Sequence, residues 1–274
     1  FAFKLYDTCG FPLDIVSDVA GKRGIAADED GYHVCMAEQK KRAKKAWKGS
    51  GEVDPAVLFQ ALLEIGLKTQ FVGYEHVAAE SRVNALLAAD GQPVDTLSAG
   101  ESGYLVCAVT PYYADCGGQV GDVGVVTTVS GTSNVTATVK AGQELTVHRI
   151  TVTQGEVLLD QEAMLTVDEA TRLAISRNHT CTHLLQKALR TVLGTHVNQA
   201  GSLVPPERLR FDFSHGAALS VAELAAVEDA VNEYIVSNAP VVTEVMGIEA
   251  ARAKGATALF GEKYGDRVRV VKFG

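Results

Sequence analysis

The chain has 274 residues, 47% of them hydrophobic and 21% charged, with a formal net charge of −8. That length accommodates two or three ordinary domains. No run of about 18 apolar residues exists, which excludes a membrane-spanning helix, and the acidic balance argues against wholesale nucleic-acid binding. The five cysteines, Cys9, Cys35, Cys107, Cys116 and Cys181, are odd in number and lack a C-x-x-C. They point to free thiols in a reducing, cytoplasmic compartment rather than to a disulfide framework. The opening residues, Phe1-Ala2-Phe3-Lys4-Leu5-Tyr6-Asp7, have neither an initiator Met nor a basic-then-apolar leader. They read as the interior of a larger protein and not as a signal peptide.

Residues 1–68 read as a helical segment. One helix spans 11–24, with Pro12 near its first turn and Gly24 as its stop. A second runs from Asp28 to Trp47, broken by Gly49-Ser50-Gly51, and a short third covers Pro55 to Leu63. The second ends in Gln39–Lys48, whose six cations leave −14 on the rest of the chain. Such a run is either a solvated helix face or a local RNA-phosphate contact through Lys40, Lys41, Arg42, Lys44 and Lys45.

Across residues 69–164 the pattern changes to short β-prone runs, Tyr104–Val109, Val123–Val129, Val135–Val139 and Glu156–Leu159. Gly and Pro separate them at turn-like intervals, which predicts a small antiparallel β-barrel or sandwich. Between two of these runs lies a glycine-rich loop, Tyr113-Ala114-Asp115-Cys116-Gly117-Gly118-Gln119-Val120-Gly121-Asp122. It is either a tight hairpin turn or a stretch of bare backbone that lets a polymer or substrate approach.

Residues 165–274 return to α/β character, so the whole reads as an α+β fold: helical segment, barrel, then a two-layer core with a mostly antiparallel sheet. Thr166-Val167-Asp168-Glu169 has capping-box spacing and opens a long helix ending near Gly194. Leu209, Phe211 and Phe213 alternate with Arg210 and Asp212 as in a half-buried strand. Ser220 caps a helix from Val221 to Ser237, and strands Val241–Val245 and Val268–Val271 flank a helix near Ile248–Lys254.

Inside the long helix, His179 and His183 lie four residues apart, on one face and one turn distant. Two imidazoles so placed can hold one metal ion, and a metal ion activates water for hydrolysis. With 7 His in the chain, chance supplies roughly 0.2 such pairs, so the spacing needs context. Cys181 points roughly 200° away from His179 and is no ligand of the same ion. Thr180 stands where a zincin carries its catalytic Glu, which disfavours a metallopeptidase. A catalytic zinc takes three protein ligands, and His196 and His215 are candidates between which spacing does not choose. Thr182 borders the His179 face. With Asn198-Gln199-Ala200-Gly201-Ser202 it either bonds back to nearby backbone or recognises a small polar group. No P-loop signature is present.

The stretches Asn178-His179-Thr180-Cys181-Thr182-His183-Leu184-Leu185, Leu193–Leu203, Leu209–His215 and the glycine-rich loop resemble the editing domain of alanyl-tRNA synthetases. Ala2–Asp14 resembles the family's segment leading into that domain, and Gly255–Asp266 its C-terminal part. The resemblance implies hydrolysis of the ester joining serine or glycine to alanine tRNA, with tRNA(Ala) as partner and neither DNA nor membrane involved. It implies a zinc ion held by His179 and His183 with a Cys and a His of a later C-x-x-x-H, expected beyond Gly274. It also implies an amino-acid pocket lined by Gln199, Thr182 and Ser202. The parent would attach alanine to tRNA using ATP, but the motifs for that step are not in this sequence. The division implied is 1–68 helical, 69–164 barrel-like and 165–274 editing core. Two other readings stand: a catalytically incomplete tRNA-binding module, and a free-standing trans-editing deacylase.

Overall fold

The computed structural model describes residues 1–9, 11–46, 58–256 and 265–273, excluding the side chains of Cys9, Asp14 and residues 40–46. The side chains of Lys40, Lys41, Arg42, Lys44 and Lys45 therefore lie outside the described residues. The chain divides into two compact units, Phe1–His179 with Ser202–Arg210, and Thr180–Gly201 with Phe211–Gly274. No described helix is long and apolar enough to cross a membrane.

The first unit opens with α1 (Ala2–Cys9), α2 (Leu13–Gly21) and α3 (Glu29–Ala46). Pro12 is the N-cap of α2, and Gly24 follows its end at φ 69°. Both residues act where their backbone preferences put them. Tyr32 of α3 is buried, with the rings of Phe3 and Tyr6 of α1 packed edge-on at 6.3 and 5.8 Å. α4 (Gln60–Glu64) is the described part of the third expected helix.

The strands follow: β1 (Gln70–Phe71), β2 (Ala78–Ala88), β3 (Thr96–Ser98), β4 (Ser102–Cys107) and β5 (Val109–Thr110). Then come β6 (Gly124–Thr128), β7 (Gly131–Ala141), β8 (Leu145–Leu158) and β9 (Glu162–Val167). Six of them close into an antiparallel barrel in the order β8-β4-β2-β9-β6-β7 and back to β8, while β3 pairs with the far end of β8. Closure leaves no edge strand within the ring. The predicted run Glu156–Leu159 is only the end of the 14-residue β8. β2 was not visible as a strand: its AAESRVNALLA is rich in Ala and polar residues, yet β4 and β9 pair with it on both sides. Tertiary pairing overrides strand propensity there.

Period two sorts the barrel's side chains. In β9, Ala163, Leu165 and Val167 point to the core while Glu162, Met164 and Thr166 are exposed. The main core joins Val83, Leu86, Leu105, Cys107, Tyr112 and Ile150 with the inward residues of β6, β7 and β9. A second cluster places Phe59 and Leu62 from the α4 region against Ala85, Leu87, Val106, Leu145 and Val147. These are the opposite-facing neighbours of the first set.

The long helix departs from expectation at its start. α5 (Glu169–Leu193) is capped by Asp168, whose carboxylate accepts from the Thr171 N–H at 2.9 Å, and not by a Thr166–Glu169 box. Thr166 is held in β9, paired with both β2 and β6, so it cannot turn into the helix.

After α5 come β10 (Gln199–Leu203) and β11 (Arg210–Phe213), which pair with each other; the second unit takes the later part of α5, Gln199–Gly201 of β10 and Phe211–Phe213 of β11. α6 (Val221–Val236) begins at a Ser220–Glu223 capping box. β12 (Val241–Gly247), α7 (Ile248–Ala253) and β13 (Arg267–Phe273) complete it, with β12 and β13 antiparallel. Its core is Ala188, Leu189, Val197 and Val227, with Phe211 and Phe213 packed against it as the alternation predicts.

One titratable group lies wholly inside the barrel. The Leu105 carbonyl can only accept, so His148 Nδ1–H donates to it at 3.0 Å. His148 Nε2 then accepts from the Thr110 hydroxyl at 2.8 Å. Burial pushes its pKa down from 6.5 to about 4. Because the unfolded chain binds that proton more readily, stability is fully present above pH 6.5 and is lost as pH falls toward 4. The loss from this group is on the order of 3 kcal/mol. Urea unfolding of the chain and of His148→Gln across pH 4–7 should show a shallower acid-side decline in the variant. Parallel curves would contradict this.

Candidate functional site

The glycine-rich loop is built as the hairpin alternative describes. Cys116 and Gln119 exchange both backbone N–H···O bonds at 3.1 Å, around Gly117 and Gly118 at φ 61° and 83°. Two consecutive positive φ values make a type I′ turn, which glycine enters without strain. A Cβ on Gly118 would collide with the Ser202 backbone and hydroxyl, so the partner that approaches this bare backbone is the chain itself. Val204 N–H donates to the Gly118 carbonyl at 2.7 Å, fixing the turn beside residues 202–204.

The loop is closed at its neck. Asp122 accepts from the Tyr113 N–H with its carboxylate and donates its own N–H to the Tyr113 carbonyl at 2.9 Å. Arg172, from the first turn of α5, grips the same carboxylate through Nε and Nη2. Its remaining donors reach the carbonyls of Gly73 at 2.8 Å and Pro111 at 2.6 Å. Asp122 and Arg172 have side-chain exposures of 1% and 14%, so this ion pair is nearly dry. A cavity of about 220 Å³ beside the loop is lined by Tyr113, Ala114 and Cys116 with Phe71 and Tyr74. It takes in none of the sequence-predicted site residues.

α5 carries three of the five predicted site residues. His179 is half-buried, and its Nδ1 lies 2.6 Å from Gln119 Oε1 at the end of the glycine turn. One residue earlier, Asn178 donates to the carbonyls of Pro205 and Pro206 at 2.8 and 3.1 Å. Thr182 is buried. His183 is exposed, with Phe273 at 5.9 Å between ring centroids, and the partial loss of water around it lowers its pKa. Burial pushes the Cys181 thiol up, which keeps it protonated and uncharged. On β10, Gln199 and Ser202 are half-buried, and the Ser202 hydroxyl donates to the Gly117 carbonyl at 3.5 Å.

The two further ligand candidates pair with each other. His196 Nε2 lies 3.0 Å from His215 Nδ1, with the rings stacked at 5.2 Å. Among the described residues no group of three or more His, Cys, Asp or Glu side chains is arranged to hold a metal.

Sequence reasoning missed Gln119 and the Arg172–Asp122 pair. Gln119 stood inside the loop without being singled out. Asp122 meets its partner 50 residues away; the only local signal is an Asp in a glycine-rich turn with no nearby cation.

Residues 1–171 match the family model described as tRNA synthetases class II (A). The chain is 56% identical over 270 residues to the alanine–tRNA ligase of Nitratidesulfovibrio vulgaris and equally so to that of Oleidesulfovibrio alaskensis. It is 51% identical over 273 residues to that of Lawsonia intracellularis. These alignments cover 98–100% of this chain but 31% of each relative. The histidine pair lies outside the family-model match and inside the aligned relatives.

Removing Arg172 alone would strand a buried carboxylate and two carbonyls. Arg172→Ala should lower the unfolding free energy by about 3–5 kcal/mol. Arg172→Met with Asp122→Leu should recover much of that loss, because no charge is then left unpaired. Urea unfolding of the single and double variants checks this.

Proposed function

The chain belongs to the tRNA synthetases class II (A) family, and on that premise we propose that it is the editing part of an alanine-specific synthetase. It would hydrolyse seryl and glycyl esters of tRNA(Ala), within a cytoplasmic parent that joins alanine to tRNA with ATP. A site that accepts alanine cannot strongly reject glycine, which is smaller, or serine, which adds one hydroxyl, so a second hydrolytic sieve is needed. The observation that carries the reading is the histidine pair one turn apart on α5, with the glycine turn delivering Gln119 to the first of them.

Imidazoles are donors that zinc accepts readily, but zinc sites take three or four protein ligands. The described residues offer two at this helix face and no group of three. His179 and His183 would hold the ion together with ligands from elsewhere in the parent protein. A bound zinc would supply Lewis-acid polarisation and an activated water. The chain's own residues bind and orient the amino acid. Thr182 and Gln199 would read the serine hydroxyl as donor and acceptor, and Ser202 is the third residue we assign to amino-acid recognition. Lys40, Lys41, Arg42, Lys44 and Lys45 contribute a local phosphate contact to tRNA.

In the full-length parent, Gln199→Ala should slow deacylation of seryl-tRNA(Ala) about 10-fold or more, roughly 1.4 kcal/mol in barrier, and leave alanine attachment unchanged. Unaltered deacylation in both Gln199→Ala and His179→Ala would overturn the reading. A second reading for the 274-residue chain alone is a tRNA-binding module without hydrolytic activity; it rests on the absence, among the described residues, of a group of three donor side chains. Metal analysis after gel filtration separates the two. Less than stoichiometric zinc is expected, and one tightly held zinc per chain would count against the module.

A further inference from the structure

We infer that Gln119 is a positioning residue that selects the tautomer of His179. A neutral imidazole carries one N–H and one lone pair, and the hydrogen bond at one nitrogen decides which is which. Gln119 Oε1 sits 2.6 Å from His179 Nδ1, and a carbonyl oxygen can only accept. Nδ1 therefore bears the hydrogen, and Nε2 presents the lone pair to whatever His179 engages. Free neutral histidine prefers the opposite tautomer, with hydrogen on Nε2, so the protein reverses the intrinsic preference here.

The surrounding geometry serves that one contact. Gln119 is 8% exposed, so its amide cannot swing away to solvent. The I′ turn at Gly117-Gly118 fixes its backbone, the bond from Val204 N–H to the Gly118 carbonyl sets the turn's position, and Arg172 holds the loop neck through Asp122. Arg172 lies on the same helix as His179, seven residues earlier, so acceptor and imidazole are referenced to one rigid element. His148 in the barrel shows the same logic independently, with the Leu105 carbonyl holding its Nδ1–H.

The consequence for hydrolysis rests on the proposed editing function, but the tautomer itself does not. The experiment is therefore run without metal or tRNA. Long-range ¹H–¹⁵N spectra of the ¹⁵N-histidine-labelled 274-residue chain, treated with chelator at pH 8, report each ring's tautomer. His179 is assigned by comparison with His179→Gln, and His148 serves as the folded-state reference. The expected result is Nδ1–H for His179. Gln119→Glu, which keeps an acceptor, should preserve it, while Gln119→Met, of similar length without one, should return His179 to Nε2–H with the His148 signals unmoved. An Nε2–H signal in the unaltered chain, or no change in Gln119→Met, would overturn the inference.

The second readout is in the full-length parent. Gln119→Met should lose about 10- to 100-fold in seryl-tRNA(Ala) deacylation, with Gln119→Glu retaining more. A tautomer shift without any change in rate would mean that His179 is positioned by Gln119 but does not act in deacylation. That outcome would count against the proposed function and leave the positioning intact.

Discussion

The arrangement around His179 depends on one nearly dry ion pair. Arg172 is the only guanidinium whose described contacts combine a buried carboxylate with two main-chain carbonyls from separate segments. In isolation a buried pair adds little net stability, since desolvation offsets much of the Coulomb attraction. What it supplies is geometry. Four fixed donor directions on a planar group admit one placement of the Asp122 loop neck against the first turn of α5. The turn at Gly117-Gly118, the Gln119 amide and the His179 ring all take their positions from that placement.

The barrel makes such a clamp possible by giving its partners a common frame. Pro111 and Asp122 flank the loop between β5 and β6, and Gly73 follows β1, which pairs with β5. The interior is not uniformly apolar. His148, Thr110, Thr138 and Ser81 are buried and bonded, and Thr138 ties the barrel wall to the loop by donating to the Asp122 carbonyl at 2.8 Å. Buried polar groups with satisfied partners permit one register where an all-apolar lining would tolerate several. The closed ring thus holds the loop by directional bonds as well as by packing.

Much of this was legible in the sequence. Helix stops at Gly24 and Gly194, the Ser220 cap and the alternation at Leu209–Phe213 are local chemistry, and local chemistry is what a linear reading sees. The histidine spacing was legible for the same reason. β2 was not, because its strand identity comes from two neighbours far along the chain and not from its own composition. The α5 cap was misread by two residues because Thr166 looked available when β9 had already engaged it. Gln119 and Arg172 were hidden for a common reason: each acts on a residue 50 or more positions away, and no periodicity encodes such a pairing.

Arg172 also dates the moment at which this region can become ordered. Its carbonyl acceptors lie 99 and 61 residues earlier, at Gly73 and Pro111, and its carboxylate 50 earlier. Strands β2 and β9, the opposite ends of the barrel segment, pair with each other, and α5 starts two residues after β9. During synthesis from the N-terminus, the loop through Asp122 emerges long before the side chain that locks it. The glycine turn and its Gln119 are therefore locked by a partner encoded at the far end of the barrel, so the local turn depends on a contact that only the whole barrel segment can supply.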